Sequence, residues 1–129
     1  MTKKEAKKQD DLDFEVQFYE AVLKESPQFF EALAALGDIY TKIGQYEKGL
    51  AMDKKLLKLR PTDPTVLYNL ACSYSLVGEV DKSLEAIKLA VDCGYDDLKY
   101  LNGDRDLENL RRDERFQQFF SKIKENLPH

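Results

Sequence analysis

The sequence of 129 residues has no tryptophan, two cysteines and one histidine. Two cysteines, Cys72 and Cys93, are too few for a disulfide framework, which predicts reduced thiols and a cytoplasmic location. Because the histidine is the last residue, His129, we expect no Ser-His, Cys-His or histidine–metal arrangement. We therefore predict a protein that is not an enzyme and that needs no metal and no cofactor.

Long apolar runs and excess positive charge are also missing. No stretch approaches the roughly 20 apolar residues of a membrane span, so we expect no membrane insertion. The basic start lacks the apolar core of a secretory signal. A net charge of −4 gives no concentrated basic face for phosphate groups, which argues against nucleic-acid binding. The apolar share of 43% and the charged share of 34% are those of a soluble globular chain.

The central part of the sequence contains a helical hairpin that repeats. Leu33, Leu36 and Tyr40 recur on one predicted helical face, Gly44 marks a turn, and Pro61 ends a second helical run. An offset of about 34 residues places these positions on a second copy. The matching residues of that copy are Leu67, Leu70, Tyr74 and Gly78.

The motif Leu33-x2-Leu36-Gly37-x2-Tyr40, followed by Pro61, resembles that of the tetratricopeptide repeat family. The second copy reads Leu67-x2-Leu70-Ala71-x2-Tyr74, with Ala71 in the place of Gly37 and Tyr95 in the place of Pro61. The resemblance implies an all-α fold, a right-handed α-solenoid of antiparallel helix pairs with about six or seven helices. It also implies that Gly37 and Gly49 stand where neighbouring helices approach most closely.

The repeat period divides the chain. Residues 1–11 are predicted to be a basic, frayed segment, and residues 12–127 to be one tetratricopeptide repeat domain. This domain comprises a capping helix (12–26), a first repeat (27–63), a second repeat (64–97) and a degenerate closing repeat (98–127). We predict that Ser26 caps the first repeat with Pro27 at its first helical position, and that Asp63 and Pro64 do the same for the second repeat.

The closing repeat resembles the last unit of many bacterial repeat proteins. Its motifs are Asp104-x-Asp106-Leu107 and Asp113-x-Arg115-Phe116. Asp104 and Asp113 are expected to cap short helices. The apolar stripe of the last helix is predicted to consist of Phe116, Phe119, Phe120, Ile123 and Leu127.

In the fold that the resemblance implies, the first helices of successive repeats line a concave groove. The groove residues are predicted to be Ala34, Asp38, Thr41, Lys42, Tyr68, Asn69, Cys72, Ser75 and Lys99. This composition suits an extended peptide or a partner helix, which predicts an adaptor or scaffold protein. A solvated groove in a protein that binds elsewhere is one alternative. A homo-oligomer that assembles through Phe29-Phe30 or Phe119-Phe120 is another.

Some members of the family clamp the C-terminal carboxylate of heat-shock chaperones in this groove. Asn69 and Lys99 match the clamp, whereas Ala34 and Gly103 stand where basic residues are needed. Asp38 stands where an asparagine is needed, and its charge would repel a carboxylate. We therefore predict that heat-shock chaperone termini are not partners of this protein.

Overall fold

The computed structural model describes residues 1–126, so the predicted stripe residue Leu127 and the histidine His129 lie outside the described residues. This part of the chain is all-α, as predicted, and contains no strand. Its eight α-helices are α1 (Lys3–Glu25), α2 (Phe30–Lys42), α3 (Tyr46–Leu59), α4 (Pro64–Leu76), α5 (Val80–Asp92), α6 (Leu98–Gly103), α7 (Glu108–Arg111) and α8 (Glu114–Glu125). A 3-10 turn spans Arg105–Leu107. Eight helices exceed the expected six or seven, because the closing segment, residues 98–126, is divided into α6, the 3-10 turn, α7 and α8. No helix within residues 1–126 is both long and apolar enough to cross a membrane.

The helices form two compact units. The first unit, Met1–Arg60, contains the hairpin of α2 and α3 with α1 packed against α2. The second unit, from Pro61 onward, contains the hairpin of α4 and α5. In this unit the 3-10 turn and α7 pack on α4, and α8 contacts α7.

The hairpin of the second unit begins as predicted. Asp63 is the N-cap of α4, and its carboxylate accepts hydrogen bonds from the backbone N–H groups of Thr65 at 2.9 Å and Val66 at 3.3 Å. Pro64 occupies the first helical position, where its missing N–H needs no intrahelical partner. The aspartates predicted to cap the closing helices also do so, because Asp113 accepts a hydrogen bond from the backbone N–H of Arg115 at 2.8 Å.

The predicted start of the first hairpin is wrong. Ser26 ends α1, Pro27 lies in the following turn, and α2 begins only at Phe30. The reason is the register of the repeat: Pro27 corresponds to Pro61, which also lies in the turn after a helix. The position equivalent to Pro64 is Phe30, which has no side-chain cap before it.

The first helix begins at Lys3, well before the predicted start of the capping helix at residue 12. Thr2 is its N-cap, and the Thr2 hydroxyl accepts a hydrogen bond from the backbone N–H of Glu5 at 3.1 Å. Residues 3–9 are Lys, Glu, Ala and Gln, which are all strong helix formers. A cap and high propensity are therefore enough to extend α1 through the basic segment.

Close approach of the paired helices explains two glycines, as the resemblance implied. A Cβ atom at Gly49 would lie 2.7 Å from Oγ1 of Thr41, and one at Gly37 would meet the α3 side chains. The Thr41 hydroxyl donates a hydrogen bond to the carbonyl of Gly37 at 3.1 Å. In the second hairpin Ser83 occupies the equivalent of Gly49, and its hydroxyl donates to the carbonyl of Ala71 at 2.7 Å. Both hairpins thus satisfy the same first-helix carbonyl with a hydroxyl.

Candidate partner-binding site

The closing segment covers one face of α4. Tyr68, Cys72 and Ser75 share this face, and all three are buried. The Ser75 hydroxyl accepts a hydrogen bond from the backbone N–H of Leu110 at 3.2 Å, and the Asn109 side-chain amide donates to the Ser75 carbonyl at 2.8 Å. Three of the predicted groove residues therefore lie beneath the protein's own closing segment and are not available as an open groove wall.

Asp104 fastens the start of the closing segment to α4. The Tyr68 hydroxyl donates a hydrogen bond to Asp104 Oδ2 at 2.6 Å, and Cys72 Sγ lies 3.8 Å from the same oxygen. Asp104 Oδ1 accepts from the backbone N–H of Asp106 at 3.0 Å, which caps the 3-10 turn. The Arg111 guanidinium donates to the backbone carbonyl of Asp104. Side chain and backbone of one residue thus join α4, the 3-10 turn and α7.

The groups around Asp104 stay neutral at ordinary pH. Burial, together with the hydrogen bond to Asp104, raises the pKa of the Tyr68 phenol far above its usual value. Burial raises the pKa of the Cys72 thiol, and the Asp104 charge adds to this effect. Because thiolates rather than thiols are nucleophiles, Cys72 is not activated for chemistry. Tyr95 stacks on Tyr68 with ring centroids 4.3 Å apart, and burial raises the pKa of Tyr95 to about 12.

An open pocket of about 630 Å³ lies beside this anchored segment. It is lined by Asp97, Lys99, Tyr100, Gly103, Asp104 and Arg105. The Tyr100 side chain is 59% exposed, and its ring lies 6.1 Å from that of Tyr68 between centroids. Lys99, one of the predicted groove residues, thus lines this pocket.

The acidic side chains that line the pocket already accept hydrogen bonds, whereas its basic side chains form no ion pair with any described residue. The Asp97 carboxylate accepts a hydrogen bond from the backbone N–H of Tyr100 at 3.1 Å, and the Asp104 carboxylate holds the Tyr68 hydroxyl. Among the described residues, neither Lys99 nor Arg105 forms an ion pair. Both cations can therefore meet an anionic group of a partner, next to an exposed aromatic ring.

The remaining predicted residues lie on the surfaces of α2 and α4. Asp38 and Lys42 are exposed and form an ion pair of 2.9 Å, and their hydrogen bond raises the pKa of Lys42. A pair this exposed contributes little to stability. Asn69 is exposed on α4, whereas Ala34 and Thr41 are half-buried.

Sequence reasoning missed Tyr100 and Arg105 as site residues. Both follow Lys99 in a segment where the repeat period fades, so no repeat position predicted their direction. A usable signal was the sequence break at Asn102-Gly103, with a basic residue on either side and a tyrosine before it.

The two hairpins, their common period and the closing segment define an all-α helical-repeat protein. The model of the tetratricopeptide repeat family matches residues 30–63, so the first hairpin is a tetratricopeptide repeat.

Two curated relatives come from Arabidopsis thaliana. The chain is 33% identical over 90 residues to a chloroplastic protein of that plant, and the match covers 67% of this chain and 27% of that protein. It is 36% identical over 72 residues to the CTR9 homolog, and this match covers 56% of this chain and 6% of that protein. The chain thus spans about a quarter or less of the length of these relatives. The cytoplasmic location and the bacterial type stay predictions.

Solved structures of MamA have the same fold. An RS-1 MamA double mutant matches with a TM-score of 0.72 and 28% identity, over 89% of this chain and 65% of that one. MamA residues 41 to the end from Desulfovibrio magneticus RS-1 matches with a TM-score of 0.67 and 23% identity, over 95% and 71%. Tetratricopeptide repeats bind protein partners, so this chain is a protein-interaction or scaffold module.

Proposed function

We propose that this chain is a non-enzymatic adaptor that binds a peptide or a partner helix through the exposed faces of the first helices of its repeats. The observation that carries the proposal is the pocket of the second unit, with its two cations and its exposed tyrosine ring. Such a pocket suits a peptide that presents a carboxylate side chain beside an apolar residue.

The contacts of Tyr68 beneath the pocket favour binding, because they hold the pocket-lining segment in place. The Tyr68–Asp104 hydrogen bond and the Tyr68–Tyr95 stack hold the segment that carries Lys99 and Tyr100. A surface that is ordered before binding loses less conformational entropy when a partner arrives. The pocket is therefore ready to receive a partner without rearranging its own backbone.

The proposal is tested by affinity capture from the lysate of the source cell. The bait is the full chain, and the variant Lys99→Glu/Arg105→Glu is compared with the control Lys55→Glu/Lys122→Glu. The control makes the same change in charge at exposed lysines outside the pocket. We expect one partner to bind the wild type and the control equally and the pocket variant at least tenfold more weakly.

A partner captured in this way is then titrated into the labelled wild-type chain while backbone amide signals are recorded. Changes in the amide signals of α6 and the 3-10 turn support the proposal. A Tyr100→Ala variant should bind the partner more weakly than the wild type does. Equal capture by the pocket and control variants contradicts the proposed site. Asp38→Lys/Lys42→Glu, which reverses the exposed ion pair of α2, tests the predicted residues of the first unit separately.

Self-assembly is the second candidate, and the exposure of one aromatic residue favours it. Phe29 is 47% exposed. The neighbouring Phe30 ring lies under the Arg60 guanidinium at 3.5 Å, and Phe119 and Phe120 pack against Phe116. Light scattering decides this candidate: a dimer or larger species that becomes a monomer in Phe29→Ala supports it, and a wild-type monomer contradicts it.

A further inference from the structure

The first helix exposes two phenylalanines on one face. Phe14 and Phe18 are one helical turn apart and are 69% and 53% exposed. The half-buried residues of α1 lie mainly on the opposite side, where the helix packs against α2. They include Leu12, Val16 and Leu23. Large exposed apolar side chains that neighbour each other mark interaction surfaces more often than isolated ones do.

The repeat shows what covers the same positions elsewhere. One period after Phe14 stands Lys48, whose ammonium group lies over the Tyr40 ring of α2 at 5.5 Å. One period after Phe18 stands Met52, whose Cβ lies 3.2 Å from where a Cβ on Gly37 would be. In the complete hairpin both positions therefore face the first helix.

The second hairpin repeats this arrangement. Lys82 corresponds to Lys48, and its ammonium group lies over the Tyr74 ring at 5.8 Å. Ala86 corresponds to Met52 and is buried. Within residues 1–126, α1 is thus the second helix of a hairpin whose first helix is not part of this unit. We call Asp11, Phe14, Glu15 and Phe18 the half-hairpin face.

The charges of this face define its complement. Between Lys8 and Lys24, every charged residue of α1 is acidic. Asp11 and Glu15 are exposed, and neither forms an ion pair with any described residue. The charge of Glu15 helps to raise the pKa of Lys42, but the ion pair of that lysine is with Asp38. Among the described residues, the face therefore presents negative charge that is not held in an ion pair, beside its two aromatic rings.

The repeat position of Glu15 strengthens this requirement. Glu15 stands where the complete hairpins have Gly49 and Ser83, the positions at which a first helix approaches most closely. A helix packed here must therefore bring a cation to Glu15 or leave its carboxylate desolvated without a partner.

We propose that the half-hairpin face binds an amphipathic helix of a partner protein whose apolar stripe is flanked by lysine or arginine. The apolar stripe covers Phe14 and Phe18, and the flanking cations pair with Asp11 and Glu15. This is helix addition to an incomplete hairpin, and it uses a different surface from the pocket around Lys99.

The probe for this proposal is a synthetic peptide with the sequence of residues 29–43, because α2 covers the equivalent face of α3. In the basic peptide, Ala34 and Thr41 are replaced by lysine, since Thr41 is the residue that faces Gly49 in the intact hairpin. In the acidic peptide the same two positions carry glutamate. The two probes therefore differ only in the sign of the flanking charges.

Each labelled peptide is titrated with the full chain, and fluorescence anisotropy is measured at low salt. We expect the wild type to bind the basic peptide with saturation and at least tenfold more tightly than the acidic peptide. Phe14→Ala/Phe18→Ala should weaken binding at least tenfold, and Glu15→Lys should reverse the preference. Leu89→Ala, which changes an exposed apolar residue outside the face, is the matched control and should bind like the wild type.

Three results overturn the proposal. The first is no saturable binding of the basic peptide, and the second is equal binding of both peptides. The third is a wild-type dimer that becomes a monomer in Phe14→Ala/Phe18→Ala, which would assign the face to a second copy. Circular dichroism of each variant verifies that the helices are retained. The Lys99→Glu/Arg105→Glu variant should still bind the basic peptide, which separates this test from that of the pocket.

Discussion

Replacing Tyr68 with phenylalanine removes one hydroxyl and retains the ring that stacks on Tyr95. The lost hydroxyl donates the 2.6 Å hydrogen bond to Asp104. Hydrogen bonds to charged groups contribute about 1.5–3 kcal/mol to stability. Asp104 is only half-buried and keeps the bond from the backbone N–H of Asp106. We therefore expect Tyr68→Phe to lower the free energy of unfolding by about 2 kcal/mol, within that range.

Urea denaturation followed by circular dichroism measures this change as a lower midpoint with an unchanged slope. Tyr100→Phe is the control, since its exposed ring belongs to the same unit, and we expect it to cost less than about 0.5 kcal/mol. In an Asp104→Ala background the cost of Tyr68→Phe should largely disappear, because the acceptor is gone.

Because of the same hydroxyl, we expect the free energy of unfolding to depend on pH in the alkaline range. Burial raises the pKa of Tyr68 in the folded protein, whereas an unfolded tyrosine has a pKa of about 10. The unfolded chain therefore releases this proton first. The contribution of Tyr68 is complete below about pH 10 and is lost as the pH rises toward the folded pKa. Stability of the wild type should fall more steeply above about pH 10 than that of Tyr68→Phe.

Two results would refute this reasoning. One is a cost of Tyr68→Phe that matches that of Tyr100→Phe. The other is a cost that is unchanged in the Asp104→Ala background. Either would mean that hydrophobic packing holds the closing segment and that its polar anchor contributes nothing measurable.

Three further predictions concern single positions. Gly49→Ala should lower the stability measured in thermal unfolding by about 1 kcal/mol. The clash with Thr41 outweighs the gain in helix propensity of about 1 kcal/mol that alanine gives over glycine. Adding Thr41→Ala should recover part of the lost stability. Asp63→Ala should cost about 1 kcal/mol by removing the cap of α4, whereas Asp63→Asn should cost less. Cys72, which is buried and has a raised pKa, should react with a thiol reagent far more slowly than the half-buried Cys93; equal rates would contradict its burial.

The hairpins could be predicted from the sequence because their determinants are local and repeat. Leu33, Leu36 and Tyr40 recur at the helical period and are buried as expected. Gly37 and Gly49 have no side chains at the position where the two helices need the space. Each of these features depends on residues within one hairpin, so a comparison of the chain with itself is sufficient to find them.

The burial of the α4 face could not be predicted in the same way. The repeat position of Tyr68, Cys72 and Ser75 gives the direction of their side chains but not the segment that lies above them. Asp104 and Leu110 join that segment to α4. Both are distant from α4 in the sequence and lie in a part of the chain where the repeat period is no longer recognisable. Long-range docking of a degenerate unit leaves no periodic signal in the sequence. The sequence therefore predicted an open groove wall where Tyr68, Cys72 and Ser75 are buried.

The half-hairpin face shows how the repeat position and the residue identity have to be combined. Position alone makes Glu15 the equivalent of Gly49, a residue pressed against a neighbouring helix. Identity alone makes it one more exposed acid on an acidic helix. Together they identify a place where the fold leaves room for a helix and where the charge selects which helix can bind. A glycine at this position would accept any apolar helix, whereas a carboxylate favours a basic one, so residue 15 determines specificity on this face.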